Sequence, residues 1–545
     1  MRHAWQKRDT ALAVLIFGIF LLCRLQYIVS PLCLNPDEAE LVASGKRAMM
    51  SIIPYETFST STSGVWWPTF LGLLGRIGFP LNLKGAHLLS SLFGASISTL
   101  MYSILRKFLD FKLAAKVALL IAIPWATSFA IFNSSLTKDF SSLATELLPL
   151  FMMALGSAAI SHTPATRRSA LFAIVMAGMS ASAKYQFVPL ALILAGYSMK
   201  KLKPLLHNPW RRWSLGIAAF VAPTLAAFGF AVILVDDSYA YQEPISLLLD
   251  YLRARSSSAD PISLTQRVRQ FTMTTWSMPP LIVALFVASR CVRKNVECGE
   301  LAPKNIWNQT YFLIPFVVSV LSVLVPGVSI AHYLHLLIGG VILCFVLISP
   351  SGEDAPRPIE PEQNAVLYFA VASLAISGLA NINTDLTSFT AKLAEMWKID
   401  RAYVALQNPD DSANPKIAEL CPAESTVLVW GWSPDFYSYF DWNPATRYTI
   451  QSGMISGSAE PWNRRHLDMK RQILAELTEE EPDCIVNATG PGLFPYVYTD
   501  GQKIQEQIPE IRSLLLSDYT AHSVPIQAVS TYIYAQDSLE IFVRN

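Results

Sequence analysis

The chain has 545 residues, of which 52% are hydrophobic and 15% charged, and its mean hydropathy is +0.35. This composition is far from that of a soluble globular protein and predicts an integral membrane protein. The net charge of +1 gives no reason to expect a nucleic-acid partner. The seven cysteines lack the spacing of a zinc site, which argues against structural zinc.

The first apolar run extends from Thr10 to Val29, about 20 residues, and follows Arg2, Lys7 and Arg8. Its length suits one membrane crossing, and the basic residues predict a cytoplasmic N-terminus. No small-residue cleavage site follows the run. We therefore interpret it as a retained anchor rather than a signal peptide.

A long outer loop is predicted at residues 30–84. Within it, Ala39 to Met50 has helical spacing, and the segment around Trp66 and Trp67 has the pattern of an amphipathic helix in the membrane interface. The loop begins with the acidic sequence Asn35-Pro36-Asp37-Glu38-Ala39-Glu40. Carboxylates at this position lie in water at the membrane face, where they suit proton transfer from a substrate.

Ten further spans complete a predicted total of about eleven. Two of them form a hairpin within 169–199, and the others lie at roughly 85–105, 113–132, 140–160, 213–235, 271–290, 307–325, 328–349 and 364–382. A single span at 169–199 would place the basic loop that starts at Lys200 outside the cell, against the positive-inside tendency. With the hairpin, the inner segments carry 18 Lys and Arg residues, whereas the short outer links carry only Lys138 and Lys184.

The C-terminal segment, 383–545, is predicted to be an extracytoplasmic α/β domain that follows a transmembrane domain at 1–382. Val427–Gly431 and Cys484–Asn487 have the pattern of short buried strands, and Arg464–Leu477 has helical periodicity. This alternation favours a partly parallel sheet. Cys421 and Cys484 either pair in an oxidising compartment or are buried free thiols.

Asp37 and Glu38 are the first candidates for chemistry. One interpretation makes Asp37 the N-cap of a helix that begins near Glu38, with Glu38 and Glu40 favourable in its first turn. The other makes Asp37 a catalytic carboxylate. The two are compatible, because a capping residue is also held in place.

Five more residues bear polar groups near the outer face. Glu146 is predicted two turns inside the fourth span, where a carboxylate needs a polar partner or cavity, whereas Asp139 suits either a helix start or a site. Lys184 is at the tip of the hairpin, whose arms of about 22 Å are shorter than a hydrocarbon layer of about 30 Å. A lysine there either attracts an anionic head group or snorkels. His332-Tyr333 is either a site pair or an interfacial pair.

The ordered set of these sequences resembles a family. The sequences are Asn35-Pro36-Asp37-Glu38-Ala39, Thr145-Glu146-Leu147-Leu148-Pro149, Ala183-Lys184-Tyr185, Ala331-His332-Tyr333-Leu334, Val429-Trp430-Gly431-Trp432 and Pro444-Ala445-Thr446-Arg447-Tyr448. Over nearly the whole chain they resemble bacterial membrane glycosyltransferases of the GT-C fold, near the dolichyl-phosphate-mannose protein mannosyltransferases and the lipid A aminoarabinose transferases. The tyrosine common after the acidic pair in the aminoarabinose branch is absent here, since Leu41 and Val42 follow Glu40.

The resemblance implies a multi-pass enzyme of the inner (plasma) membrane that transfers a hexosyl or pentosyl group, generally with inversion. The donor would be a polyprenyl-phosphate sugar, and the acceptor a lipid, glycan or protein of the cell envelope. By position, Asp37 matches the general base, Glu38 its acidic neighbour, and Lys184 the basic residues that hold the donor phosphate.

Two questions remain open at this level. Asp37, Glu38, Asp139 and Glu146 offer oxygen ligands for a divalent metal, but no spacing requires one. The competing function is a transporter or flippase of a lipid-linked glycan precursor, although the sequence shows no internal repeat of the kind common in transporters. The sugar, the acceptor and the oligomeric state have no signature in the sequence.

Overall fold

The structure is a computed structural model of the chain. It describes residues 2–29, 36–54, 57–58, 64–107, 109, 111–127, 143–161, 166–234, 311–324, 333, 335–347, 414–431, 434–449, 460–488, 503–525 and 538–545. These residues belong to two compact units. The first comprises Met1–Val29, His87–Phe228 and Ile262–Thr384, and the second Ser30–Ala86, Gly229–Pro261 and Asp385–Asn545.

The first unit is helical in its described part. Its helices are α1 (Arg2–Val29), α4 (Leu83–Leu105), α5 (Phe111–Thr127), α6 (Leu147–Ser161), α7 (Arg167–Ala183), α8 (Val188–Leu202), α9 (Pro209–Leu234), α10 (Ile314–Leu324) and α11 (His335–Leu347). Helix α4 begins in the second unit and helix α9 ends in it. Short 3₁₀ turns, Tyr185–Phe187 and Tyr311–Leu313, precede α8 and α10.

These helices coincide with nine of the predicted spans, counting the hairpin as two; the spans at 271–290 and 364–382 lie outside the described residues. Among the described helices, Leu83–Leu105 is long and apolar enough to cross a membrane, and Leu147–Ser161, Ile314–Leu324 and His335–Leu347 are shorter apolar helices. The total of eleven spans stays a prediction. The helical hairpin is present, because α7 and α8 pack against each other on either side of Tyr185–Phe187.

The fourth span begins later than the predicted residue 140. Residues 143–146 are not helical, and α6 begins at Leu147, where the main-chain oxygen of Glu146 accepts a hydrogen bond from the Leu150 amide at 3.0 Å. Pro149 lies in this first turn, where its missing N–H leaves no helical bond unmade. Glu146 is therefore at the start of the helix, and the prediction that it lies two turns inside a span was wrong.

The second unit begins with a pair of helices, α2 (Pro36–Met50) and α3 (Trp66–Arg76). The two helices approach closely, because a Cβ on Gly72 would lie 2.6 Å from the Ala48 carbonyl carbon. The apolar face of α3 packs there, with Trp67 and Leu71 buried. The predicted helices of the 30–84 loop are confirmed, and placement of α3 in the membrane interface stays a prediction.

The C-terminal part of this unit is an α/β fold. Its strands are β1 (Thr426–Gly431), β2 (Asn443–Pro444), β3 (Cys484–Ala488), β4 (Tyr519–Pro525) and β5 (Ser538–Arg544). Its helices are α12 (Asn414–Leu420), α13 (Asp435–Tyr439), α14 (Glu460–Glu480), α15 (Ile504–Gln507) and α16 (Ile511–Asp518). The sheet order is β2-β1-β3-β5-β4; β1 is parallel to β2 and β3, and β5 is antiparallel to β3 and β4. The predicted partly parallel sheet is confirmed.

Alternate residues of β1 supply the cores on the two faces of the sheet. Val427 and Val429 face one core, which includes Cys421, Cys484, Tyr437, Trp442 and, from α2, Ala43. Leu428 and Trp430 face the other, which α14 and α16 cover. Cys421 and Cys484 form a disulfide in the first of these cores, which decides between the two alternatives left by the sequence.

Helix α2 is thus a structural element of the C-terminal fold, although some 390 residues separate the two in the chain. The reason is physical: Ala43 adds to the apolar core and polar residues of α2 bond to the loops beside β2. The predicted domain boundary at residue 382 stays a prediction. In the structure, the described part of the 30–84 loop packs with the C-terminal residues.

Candidate functional site

A buried ion pair occupies the first unit. The ammonium Nζ of Lys184 lies 3.0 Å from Glu146 Oε1, and it donates a hydrogen bond to Thr145 Oγ1. The Thr145 hydroxyl in turn donates to Glu146 Oε1 at 3.1 Å. Lys184 is 4% exposed and Glu146 0%. Buried charges are stable only when paired and hydrogen-bonded, and Lys184 Nζ and Glu146 Oε1 meet that condition.

Each charge of the pair is at the helix end that favours it. Glu146 precedes the first residue of α6, and Lys184 is the extended residue that ends α7. Carboxylates are stabilised at helix N-termini and cations at C-termini. Because α6 and α7 are joined by a short link and pack against each other, the start of one helix meets the end of the next. This packing explains why residues 38 positions apart form the pair.

An aromatic ring contacts the pair, and further buried polar side chains follow close by in the sequence. The Tyr333 ring, itself buried, has its centroid 5.7 Å from Lys184 Nζ, within cation–π range. Two residues on, His335 is fully buried and its ring meets that of Trp125 edge-on at 5.7 Å. Gln186 is also buried, and its side-chain amide has no hydrogen-bond partner among the residues that the structure describes. Buried polar groups of this kind often mark a place for water or a ligand.

The acidic pair Asp37-Glu38 lies in the first turn of α2 in the second unit. Asp37 is half-buried, and Glu38 is 0% exposed. The helix begins at Pro36, so Asp37 is its second residue. The interpretation of Asp37 as an N-cap was therefore wrong: the proline ring is already in helical geometry, which moves the helix start two residues upstream of Glu38. Both carboxylates still gain from the helix dipole.

Two basic residues at the other end of α2 attach it to the C-terminal fold. Lys46 Nζ donates to the main-chain oxygens of Tyr437 (3.2 Å) and Trp442 (3.1 Å) and lies 2.6 Å from Asp441 Oδ1. Arg47 lies deep in the fold as well. It donates to the oxygens of Thr57 (3.1 Å) and Pro444 (3.2 Å) and pairs with Glu480 at 3.4 Å.

These contacts fix the position of the acidic pair. Lys46 and Arg47 are only 5% and 6% exposed, so their bonds form away from competing water. A helix turns as a rigid body over two to three turns, and Asp37 is about 14 Å from Lys46 along the axis. Their docking therefore also sets where Asp37 and Glu38 lie within the second unit. In addition, Ser44 Oγ and Thr449 Oγ1 are 3.2 Å apart across the same contact.

A further buried carboxyl, Asp435, follows the carboxyl end of β1 in the second unit. Burial raises its pKa to about 7, although the main-chain amides of Asp435 and Phe436 donate hydrogen bonds to the carboxyl group and act to lower the pKa. The parallel strands β2-β1-β3 reverse their order of connection at β1, where α/β sheets commonly bind ligands. The sequence analysis did not select this residue, because nothing local distinguishes a buried aspartate from an exposed one after Pro434.

Comparison with known proteins finds ten similar chains among the solved structures, including the following two. One is ArnT from Cupriavidus metallidurans bound to undecaprenyl phosphate, which is 14% identical, with a TM-score of 0.49 over 99% of this chain and 98% of that chain. The other is the archaeal oligosaccharyltransferase AglB from Archaeoglobus fulgidus, in complex with an inhibitory peptide and a dolichol-phosphate. It is 11% identical, with a TM-score of 0.38 over 99% of this chain and 76% of that chain. No family model and no curated protein matches the sequence.

Both similar structures are GT-C-fold membrane glycosyltransferases, the group that the sequence resembles. At this identity and TM-score the likeness is too distant to support an argument about function.

The structure brings together some of the residues that the sequence selected. Lys184, Glu146 and Tyr333 form one cluster in the first unit, and Asp37 and Glu38 lie together on α2 in the second. Asp139 and His332 lie outside the described residues. The sequence pattern did not single out Lys46, Arg47, Gln186 and His335 as site or docking residues. A charged or amide side chain within an otherwise apolar stretch is the pattern that could have indicated them.

A metal site was left open by the sequence. Within the described part of the chain, no three His, Cys, Asp or Glu side chains lie close enough together to hold a metal ion. Glu146, one of the four carboxylates considered for such a site, is paired with Lys184.

Proposed function

We propose that this protein is a membrane glycosyltransferase that transfers a sugar from a polyprenyl-phosphate donor to an acceptor of the cell envelope. Asp37 is the general base toward the acceptor hydroxyl, Glu38 orients the acceptor or tunes Asp37, and Lys184 binds the donor phosphate. The buried Lys184–Glu146–Thr145 cluster is the observation that carries this proposal.

Lys184 suits a phosphate because its two hydrogen-bonding partners, Glu146 and Thr145, are side chains that a phosphate can replace. An ammonium group has three N–H donors, and the described contacts use two of them, toward Thr145 and Glu146. The face of the Tyr333 ring, with its centroid 5.7 Å from Nζ, is a further and weaker partner of the same cation. A cation at this position also stabilises the phosphate as it leaves, in surroundings that exclude water. The buried amide of Gln186 adds a donor and an acceptor nearby in the chain.

The reaction needs few groups. The acceptor oxygen attacks the anomeric carbon while the bond from that carbon to the phosphate oxygen breaks, and the electron pair of this bond leaves with the polyprenyl phosphate. The proton of the acceptor hydroxyl passes to the Asp37 carboxylate. One displacement inverts the anomeric configuration. A phosphate leaving group needs no protonation, so one base and one cation suffice.

Two observations support a membrane location with the second unit outside the cytoplasm. Large apolar side chains are exposed on several helices of the first unit, including Val14, Leu22, Leu192 and Leu225, which is costly unless lipid covers them. The Cys421–Cys484 disulfide in the second unit is of a kind that persists in oxidising compartments and is rare in the cytosol. Both agree with the topology predicted from the distribution of Lys and Arg.

The proposal is tested with purified full-length protein and a panel of undecaprenyl-phosphate sugars, with a membrane extract as the source of acceptor. We expect release of undecaprenyl phosphate from at least one donor, accompanied by a glycosylated product. Asp37→Asn keeps the size of the side chain and should lower the rate about 10²–10⁴-fold, the usual cost of losing a positioned base.

Glu38→Gln is the matched control, with a smaller loss expected. Near-normal transfer by Asp37→Asn would reject Asp37 as the base, and an inactive Glu38→Gln beside an active Asp37→Asn would move that role to Glu38. Donor binding or movement across the bilayer without any release of undecaprenyl phosphate would instead support a transporter or flippase.

A further inference from the structure

A groove lies on the first unit along α8, and it extends to Lys200, near the end of α8 that is opposite Lys184. Its volume is about 280 Å³, and it is lined by Leu192, Ile193, Gly196, Tyr197, Lys200, Tyr311 and Leu347. Helix α8 from its second turn onward, the end of α11 and the Tyr311–Leu313 turn form it. At one edge the Tyr311 hydroxyl donates to the Leu347 carbonyl oxygen at 3.2 Å, which holds two of these elements together.

The floor of the groove contains a glycine that packing does not require. A Cβ on Gly196 would meet nothing within 4 Å, and the residue is exposed in the middle of α8. Glycine inside a helix costs about 1 kcal/mol relative to alanine. Such a glycine usually has a packing or functional reason, and here its effect is to keep the groove open.

The ends of the groove differ in chemistry. Leu192, which is 55% exposed, Ile193 and Leu347 provide apolar walls, whereas Lys200 lies at the end of the helix with an exposed side chain. Lys201 lies over the Tyr197 ring, 5.4 Å from its centroid. No Asp or Glu occurs in residues 188–216 or 311–347, so neither stretch offers a carboxylate to neutralise these lysines.

We propose that this groove binds an anionic phospholipid of the membrane, with an acyl chain along the apolar walls and the head-group phosphate on Lys200. The inference rests on the membrane location included in the proposed function. The volume falls just below the range of about 300–1,000 Å³ typical of small-molecule pockets, which suits part of one lipid. Tyrosine and lysine are the residues found where helices leave the hydrocarbon layer.

This lipid site is separate from the donor site. Twelve residues of α8 separate Val188 from Lys200, roughly 18 Å along the helix. Lys184 precedes α8 and Lys200 is near its end, so the two cations are at opposite ends of one helix. In the predicted topology Lys200 faces the cytoplasm, the side on which anionic lipids attract basic residues.

The test measures lipids retained by the purified full-length protein by native mass spectrometry, with dioleoylphosphatidylglycerol and dioleoylphosphatidylcholine supplied in equal amounts. We expect the protein to retain more dioleoylphosphatidylglycerol, the anionic lipid, than dioleoylphosphatidylcholine. Gly196→Phe fills the groove and should abolish the preference. Lys200→Gln changes an exposed side chain and leaves folding intact. It should weaken the binding of phosphatidylglycerol about fivefold and have little effect on the binding of phosphatidylcholine.

Gly18→Phe is the matched control, because Gly18 is also a helical glycine whose Cβ would meet nothing within 4 Å, and it does not line the groove. It should behave as the wild type. Equal retention of both lipids by the wild type, or an unchanged preference in Lys200→Gln, would overturn the proposal. Displacement of phosphatidylglycerol by an equal amount of undecaprenyl phosphate would also overturn it, since the groove would then be a site for undecaprenyl phosphate. Loss of sugar transfer in Asp37→Asn has no bearing on these outcomes.

Discussion

Two buried lysines, one in each unit, have opposite kinds of partner. Lys184 in the first unit is 4% exposed and bonds to the side chains of Glu146 and Thr145. Lys46 in the second unit is 5% exposed and bonds to two main-chain oxygens, with Asp441 as a third partner at the surface.

The difference separates a site from a structural contact. The main-chain oxygens of Tyr437 and Trp442 are fixed by the fold, so these partners of Lys46 cannot exchange, and Lys46 serves to dock α2. The carboxylate and hydroxyl that bind Lys184 are on side chains, which can rotate away and be replaced by another anion. Burial alone therefore does not indicate function; a buried cation whose partners are exchangeable is the better candidate for binding a ligand.

The largest expected effect comes from removing the exchangeable cation. Lys184→Ala should lower sugar transfer about 10²–10³-fold, the usual cost of losing a group that stabilises developing charge. Lys184→Arg should keep part of the rate, because the charge remains and the compact ammonium geometry does not. Transfer is measured in membranes that contain equal amounts of each variant. An alanine variant with wild-type dependence on donor concentration would make the pair purely structural.

Removing the fixed cation should act on stability instead. Lys46→Met removes the ammonium donor from the Tyr437 and Trp442 carbonyl oxygens, of which the Tyr437 oxygen keeps a hydrogen bond from the Trp442 amide at 3.1 Å. The loss costs about 1–3 kcal/mol and should lower the unfolding temperature of the second unit. The Michaelis constant for donor should stay unchanged. Asp441→Asn is the control: its side chain is 65% exposed, so a surface-like cost of at most about 1 kcal/mol is expected. A Lys46 variant with wild-type stability but weaker donor use would remove the contrast between the two lysines.

The sequence predicted the parts of this account that depend on local pattern. The helices around Lys184 and the strands at Val427–Gly431 and Cys484–Asn487 were found because apolar periodicity and composition are local properties. Glu146 and Lys184 were each selected, since a charge in an apolar stretch is visible. Their pairing depends on how α6 and α7 pack, and no residue pattern records it.

The docking of α2 was out of reach for a different reason. Lys46 bonds to main-chain oxygens 391 and 396 positions away, and every residue type has such an oxygen. The start of α2 was missed by two residues because Pro36 fits both before a helix and as its first residue. The disulfide was left open because pairing depends on the compartment and on the distance between two strands' ends.

A smaller effect is expected from the buried Asp435 of the second unit, whose partners include main-chain amides, like the fixed contacts of Lys46. Its ordinary pKa is 3.8 and burial raises the pKa to about 7, so between these values the folded chain holds a proton that the unfolded chain has released. Stability must then fall as the pH rises through this window, by about 1.4 kcal/mol per pH unit.

Asp435→Asn stays neutral and should remove this part of the pH dependence, so that the variant becomes more stable than the wild type near pH 7. The measurement is thermal unfolding of the full-length protein at several values between pH 5 and pH 7.5, followed by tryptophan fluorescence. If the unfolding temperatures of the two proteins changed with pH in parallel, Asp435 would ionise in the folded state at its ordinary pKa.

The most direct measurement of the central claim is binding of undecaprenyl phosphate to purified wild type, Lys184→Ala and Glu146→Gln, since it needs neither the sugar nor the acceptor. If a phosphate replaces Glu146 as the partner of Lys184, the two substitutions must change the affinity for undecaprenyl phosphate in opposite directions. Lys184→Ala should bind more weakly than the wild type, whereas Glu146→Gln, which removes the competing carboxylate and keeps its shape, should bind more tightly. Weaker binding in both variants, or no change in either, would contradict the account.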